Sequence, residues 1–213
     1  MDKISSENEP LTMPSDLQKA TPKPENSLIL ASTSPRRKEL LSHLIKDFKI
    51  VKPEVLELKK HEKGPQYLVL ENAKLKCLNV ASLYPENWVL GADTTVALGN
   101  EVFGKPSDMD EAKSMLLRLS GRTHQVYTGI CLINQTRKIS HCETVSTMVT
   151  FKRLSASIIE DYFAKVDPLD KAGAYAIQSN AEMILELYNG SLSNVIGLPK
   201  EHLQIWLKMY KLV

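Results

Sequence analysis

Apolar and polar positions run along the chain in blocks whose period changes from segment to segment. Ser27–Ala31 is a short apolar run, which predicts a buried strand. Leu40, Leu41 and Leu44 then line one face behind Ser34 and Pro35, a cap and a first-turn proline, so a helix is expected. Phe48–Val51 reads as a second strand, and a polar loop through PEVLELKKHEKGP leads to a helix over 66–83. WVLGADTTVAL is strand-like with an interruption at Gly91, and Gly99–Asn100 marks a hairpin turn into EVFGKP. Ser107 is placed to cap a helix whose Ala112, Met115, Leu116 and Leu119 follow the i, i+3, i+4, i+7 pattern. HQVYTGICLIN and CETVSTMVTF read as two long strands joined near QTRK. A helix over 155–164 and another after Pro199 complete the series. Strands and helices alternating in this way predict one α/β (or α+β) domain over 27–213, a twisted mixed sheet flanked by helices.

Composition narrows the function classes. The chain has 213 residues, 43% hydrophobic, enough for a sizeable core. Its 27 basic and 25 acidic residues leave a net charge of +2, which gives no basic face for long nucleic acid. A small anion held by a few local cations remains open. No stretch approaches the roughly 20 apolar residues of a membrane helix. Residues 1–26 are rich in proline, serine and charge, and lack the apolar core of a signal peptide. Asp2, Glu7, Glu9, Asp16 and Glu25 argue against a mitochondrial presequence, so a disordered extension is expected. Cys77, Cys131 and Cys142 are odd in number and form no CxxC pair, implying neither a disulfide frame nor a zinc cluster. A reducing, cytoplasmic location follows as the expectation.

Four segments place polar groups where packing does not ask for them. In SLILASTSPRRKELL, Arg36 and Arg37 open a helix whose N-terminus already attracts negative charge. Two cations there oppose the dipole unless an anion sits between them, and a phosphate chain is the simplest such anion. Taken alone, a capped helix with two solvated arginines explains the stretch as well. In GADTT, Asp93 follows a strand through a Gly-Ala step, a common place to expose a carboxylate at a sheet's end; the bland reading is a turn aspartate. In FGKP, Gly104 and Pro106 frame Lys105, otherwise an ordinary solvent-facing lysine. DKAGAYAIQ and NGSLSNVIGLP are dense in small residues and amides, suited to close approach by a ligand or simply loops. His124 is expected to make a structural hydrogen bond, since the five histidines are scattered and lack metal-site spacing.

In order, LASTSPRR, ENAKLK, GADT, GKP, SGRTHQVYTG, DKAGAYAIQ and NGSLSNVIGLP resemble the Maf-type nucleoside triphosphate pyrophosphatases across nearly all of 27–213. The resemblance implies a fold shared with inosine triphosphatases and cleavage between the α and β phosphates, yielding a monophosphate and pyrophosphate. A divalent cation, Mg2+ or Mn2+, is implied as cofactor and a homodimer as a common assembly. By position, Asp93 is implied as the proton acceptor that activates water. Ser32, Arg37, Lys76 and Lys105 match positions around the phosphates, and Glu57 an acidic position near the metal, with Asp93 a second metal ligand. Lys74 neighbours Lys76, but helical spacing turns the two to different faces. Arg36, Thr94 and Gln178 match positions that set base preference, and are the residues of the dTTP- and UTP-cleaving branch. Two other readings stand beside this one: a non-catalytic nucleotide-binding regulator of cell division, and a purine, inosine-type triphosphatase. The intact set Asp93, Lys105 and Arg37 favours catalysis over mere binding, because a pure binder has no need of the carboxylate.

Overall fold

The computed structural model describes residues 27–213, so the extension expected over 1–26 lies outside the described residues. Among the described residues seven strands form one mixed sheet: β1 (Leu28–Ala31), β2 (Phe48–Ile50), β3 (Trp88–Leu98), β4 (Glu101–Phe103), β5 (Thr123–Asn134), β6 (Ile139–Phe151) and β7 (Leu185–Asn189). Their order is β2-β1-β3-β5-β6-β7, with β4 paired to β3. The helices are α1 (Pro35–Ser42), α2 (Pro65–Leu83), α3 (Met109–Leu119), α4 (Ala156–Phe163), α5 (Leu192–Ile196) and α6 (Lys200–Met209). β1 runs parallel to both β2 and β3, whereas β3, β5, β6 and β7 pair antiparallel.

Alternation along β1 decides which helices cover which face. Leu28 and Leu30 point into a core with Trp88, Leu90 and Leu132, closed by Leu41 of α1 and Leu203, Trp206 and Leu207 of α6. Ile29 and Ala31 point the other way, with Val89 and Ile133, onto Ala73, Cys77 and Val80 of α2. A third cluster joins Val96, Val126, Val149 and Phe151 of the sheet to Leu116 and Leu119 of α3 and Tyr162 of α4. Side-chain period two in the strands and 3.6 in the helices is what makes these faces meet.

Several expectations change in the structure. β3 is continuous through Gly91, which is there for close approach: a Cβ at Gly91 would stand 2.4 Å from the Ala73 carbonyl oxygen of α2. Replacing Gly91 by alanine should therefore push α2 off the sheet and lower stability by about 1–3 kcal/mol. Thermal unfolding checks this, with a fall of several degrees expected and an unchanged midpoint contradicting the close approach. Asp108, not Ser107, caps α3 through its side chain, accepting from the Glu111 N–H at 2.8 Å. Helix α5 lies within NGSLSNVIGLP, whose small and polar residues are equally those of a loop.

The cysteines overturn their reading. Cys131 and Cys142 are joined by a disulfide, and only Cys77 is free. The two stand directly opposite each other on β5 and β6, with Cα atoms 4.1 Å apart, a neighbourhood that spacing in the sequence does not reveal. The cysteine count thus carries no argument for a reducing compartment. Among the described residues no helix is long and apolar enough to cross a membrane.

Candidate active site

Strand β1 ends at Ala31, opposite Gly91, while β3 continues to Leu98. The sheet is thereby notched at the carboxyl end of its parallel strands, where open α/β sheets bind ligands. A cavity of about 930 Å³ fills the notch, and Ser32, Arg36, Arg37, Glu57, Lys76, Asp93, Thr94, Lys105 and Gln178 all line it. The residues singled out in the sequence thus converge on one place, although they are scattered along most of the domain.

Asp93 lies at the centre of a charged group. Lys76 Nζ is 2.7 Å from Asp93 Oδ1 and 2.7 Å from Glu57 Oε2, so one buried ammonium bridges two carboxylates. Asp93 Oδ2 accepts from Asn72 Nδ2 at 3.1 Å. Asn72 and Lys76 are i and i+4 on α2 and share a face, whereas Lys74 is exposed and does not line the cavity. The Asn72 amide also clasps the backbone of Leu58, accepting from its N–H at 2.8 Å and donating to its carbonyl at 3.0 Å. That clasp fixes the loop that carries Glu57. Sequence reading missed Asn72, because its carboxylate partner lies 21 positions on and its burial shows only in the fold.

Arg37 sits on the other side of the notch. Its Nε donates to the Gly197 carbonyl at 2.9 Å, Nη1 to Ser32 Oγ at 3.4 Å and Nη2 to Thr94 Oγ1 at 3.0 Å. All three acceptors are neutral. Burial pushes the guanidinium below its usual value, and the fields of Asp93 and Glu57 oppose that shift. A cation held by neutral groups at the edge of a cavity is suited to an anionic ligand. Ser32 Oγ accepts from Arg37 and from the Ser34 N–H at 3.3 Å, which leaves its own proton for a ligand.

The remaining residues line the mouth. Arg36 is not open to solvent alone: Nη1 is 2.7 Å from Asp170 Oδ2 and Nη2 donates to the Asp170 carbonyl at 3.1 Å. Desolvation works to raise the Asp170 carboxyl, but hydrogen bonds from Lys171 and Arg36 overcome it and hold it below the usual range. Lys105 is exposed, and its turn is tied to the 167–178 loop by the Gly173 N–H to Gly104 carbonyl bond of 3.0 Å. Gln178 is exposed on the cavity wall. His124 stands outside the cavity, buried, with Nε2 2.9 Å from the Tyr175 hydroxyl; burial pushes its imidazole down to about 4, as befits a neutral core residue. Burial also pushes the Cys77 thiol up to about 12, far from the thiolate a nucleophile needs.

Among the described residues no three His, Cys, Asp or Glu side chains cluster as a ready metal cage. The Lys76 ammonium brings Asp93 and Glu57 side by side, and each carboxylate keeps lone pairs that the ammonium does not use. Two carboxylates suit a hard divalent cation that takes its other ligands from phosphate oxygens and water. The donor set therefore fits such an ion once a nucleotide is present.

A family model described as "Maf-like protein" matches residues 27–210. A "dTTP/UTP pyrophosphatase" of Clostridioides difficile is 45% identical over 184 residues, covering 86% of this chain and 95% of the relative. One of the same description from Myxococcus xanthus is 48% identical over 174 residues, covering 81% and 86%. Among solved structures, the Staphylococcus aureus Ham1 protein superimposes with a TM-score of 0.51 at 17% identity, covering 86% of this chain and 99% of that one. At that identity the likeness concerns the fold alone.

Proposed function

The chain belongs to the Maf-like protein family, and from that premise we propose that it hydrolyses dTTP and UTP to the monophosphate and pyrophosphate. The observation that carries this reading is the pairing, in one notch, of a carboxylate held by Lys76 and Asn72 with the arginine held only by neutral acceptors. Phosphoanhydride hydrolysis needs a placed water, cations on the developing charge and little covalent work by the protein.

Asp93 is the group that takes the proton of the attacking water. Each of its oxygens uses one lone pair on Lys76 or Asn72 and keeps capacity for a water. Arg37 and Lys105 act on the phosphate chain, and Ser32 donates its free proton to a phosphate oxygen. Lys76 holds the two carboxylates in register. Asp93 and Glu57 would hold a divalent cation, Mg2+ or Mn2+, which supplies charge neutralisation on the phosphates. Non-catalytic nucleotide binding leaves the Asp93–Lys76–Glu57 group without a task, so hydrolysis is the better reading.

Base choice falls to Gln178 at the cavity wall. Its amide offers a donor and an acceptor, which match O4 and N3–H of uracil or thymine. Glutamate there offers acceptors only and should repel O4. Gln178→Glu is expected to lower kcat/KM for UTP and dTTP by about 10- to 100-fold, the scale of a lost hydrogen bond to a bound base. The check is kcat/KM for UTP, dTTP, CTP and 7-methyl-GTP with both proteins. An equal drop for all four would assign Gln178 to the site's structure and remove the pyrimidine reading's main physical support.

A further inference from the structure

Thr94 does not stand alone behind Arg37. Its Oγ1 lies 2.9 Å from Thr128 Oγ1, and Thr128 Oγ1 lies 2.9 Å from the Asn194 carbonyl oxygen. Proton positions in this chain follow from elementary valence. A guanidinium only donates and a carbonyl only accepts, while each hydroxyl has one proton to give. Thr128 must spend its proton on the Asn194 carbonyl, so in the Thr94–Thr128 pair Thr94 is the donor. Thr94 then has only lone pairs left to face Arg37 Nη2. Every donor in the series points the same way, from Arg37 through Thr94 and Thr128 to Asn194. Such one-directional chains polarise each bond in turn.

We infer that Thr128 is a positioning residue for Arg37, acting through Thr94, and that Thr94 serves the phosphate end of the site by aiming the guanidinium. This rests on the reading of Arg37 as a phosphate-binding cation. The anchor is rigid. Thr128 and Asn194 are both wholly buried, and the Asn194 side chain is itself tied by Nδ2 to the Val126 carbonyl and to Thr147 Oγ1, each at 3.0 Å. With its hydroxyl proton committed to Thr128, Thr94 has none to donate to the O2 or O4 of a base. Losing the Thr128 hydroxyl should act on the reaction through Arg37, and so in the same way whichever base the nucleotide carries.

The experiment is a double-mutant cycle on the full chain, read as kcat and KM for UTP, dTTP and CTP. Thr128→Val replaces a hydroxyl by a methyl of nearly the same volume. It orphans no carbonyl, because the Asn194 oxygen also accepts from the Gly197 N–H at 3.0 Å. The loss expected is about 10-fold in kcat for all three nucleotides, with KM within about twofold. Thr128→Ser, which keeps the hydroxyl, should restore activity. Thr94→Val should lose at least as much, and the Thr94→Val/Thr128→Val pair no more than Thr94→Val alone. In an Arg37→Lys background, which lacks the Nη2 donor, Thr128→Val should cost nothing further. Equal losses from Thr128→Val with and without Arg37, or a loss confined to one base, would overturn the inference. So would wild-type rates for Thr128→Val or Thr94→Val while Arg37→Lys is impaired. Wild-type rates for Arg37→Lys itself would instead overturn the phosphate role of Arg37, and the positioning role with it.

Discussion

Replacing Asp93 by asparagine is expected to leave the fold intact and to reduce kcat by about 100-fold or more. The amide is nearly the same size, so the strand and the packing of α2 on it should persist. What changes is chemistry. An amide neither takes a proton from water nor ligates a hard cation well, and general-base contributions of this kind run to about 100- to 10,000-fold. Lys76 would also lose one of its two carboxylate partners, leaving only Glu57, which is half-exposed. Removing one partner from a buried charge is costly, so some loss of stability should accompany the loss of rate. Circular dichroism and single-turnover rates on the same preparation separate the two effects. Near-normal turnover would leave Asp93 as no more than a structural partner of Lys76 and Asn72.

Arg37→Ala is expected to lose about 30- to 1000-fold in kcat/KM, and Arg37→Lys somewhat less. The basis is the roughly 2–4 kcal/mol carried by an oriented charge stabiliser, converted to a rate ratio. Lysine restores the charge and not the geometry. A guanidinium held at Nε, Nη1 and Nη2 by Gly197, Ser32 and Thr94 presents its remaining N–H groups in a fixed plane. An ammonium on a flexible stem cannot do so. Steady-state kinetics with UTP are the check. Equal, mild effects of the two changes would mean that Arg37 has no part in the reaction.

Part of this site is legible in the chain because Ser32, Arg36, Arg37 and Lys105 sit at the ends of elements, which local rules can read. Ser34 and Pro35 announce the start of α1, and two arginines after them conflict with the helix dipole. That conflict is what marks the site. Asp93 is visible as the one charged residue of the strand WVLGADTTVAL. The strands and helices follow their periodicities closely, including the two-residue hairpin at Gly99–Asn100, where Leu98 pairs with Glu101. Asn72 and Thr128 are not legible, since each is a polar residue inside a regular element whose partner is distant in sequence. Asn72 meets Asp93 across 21 positions and Thr128 meets Asn194 across 66. The Cys131–Cys142 bond escapes for the same reason, as it depends on the register of two strands. Thr94 shows a further limit. A residue type can be matched to a role, but only the geometry reveals that its hydroxyl faces Arg37 and Thr128.

Hydrolysis in this notch should open the bond between the α and β phosphates of a pyrimidine nucleoside triphosphate. The measurement that bears on it most directly is the product balance from UTP with Mg2+ or Mn2+ present, pyrophosphate and inorganic phosphate being determined separately. One pyrophosphate for each UMP, with no UDP, is the expected result. UDP with inorganic phosphate would place the cleavage at the β–γ bond and contradict the claim, as would nucleotide binding without any product.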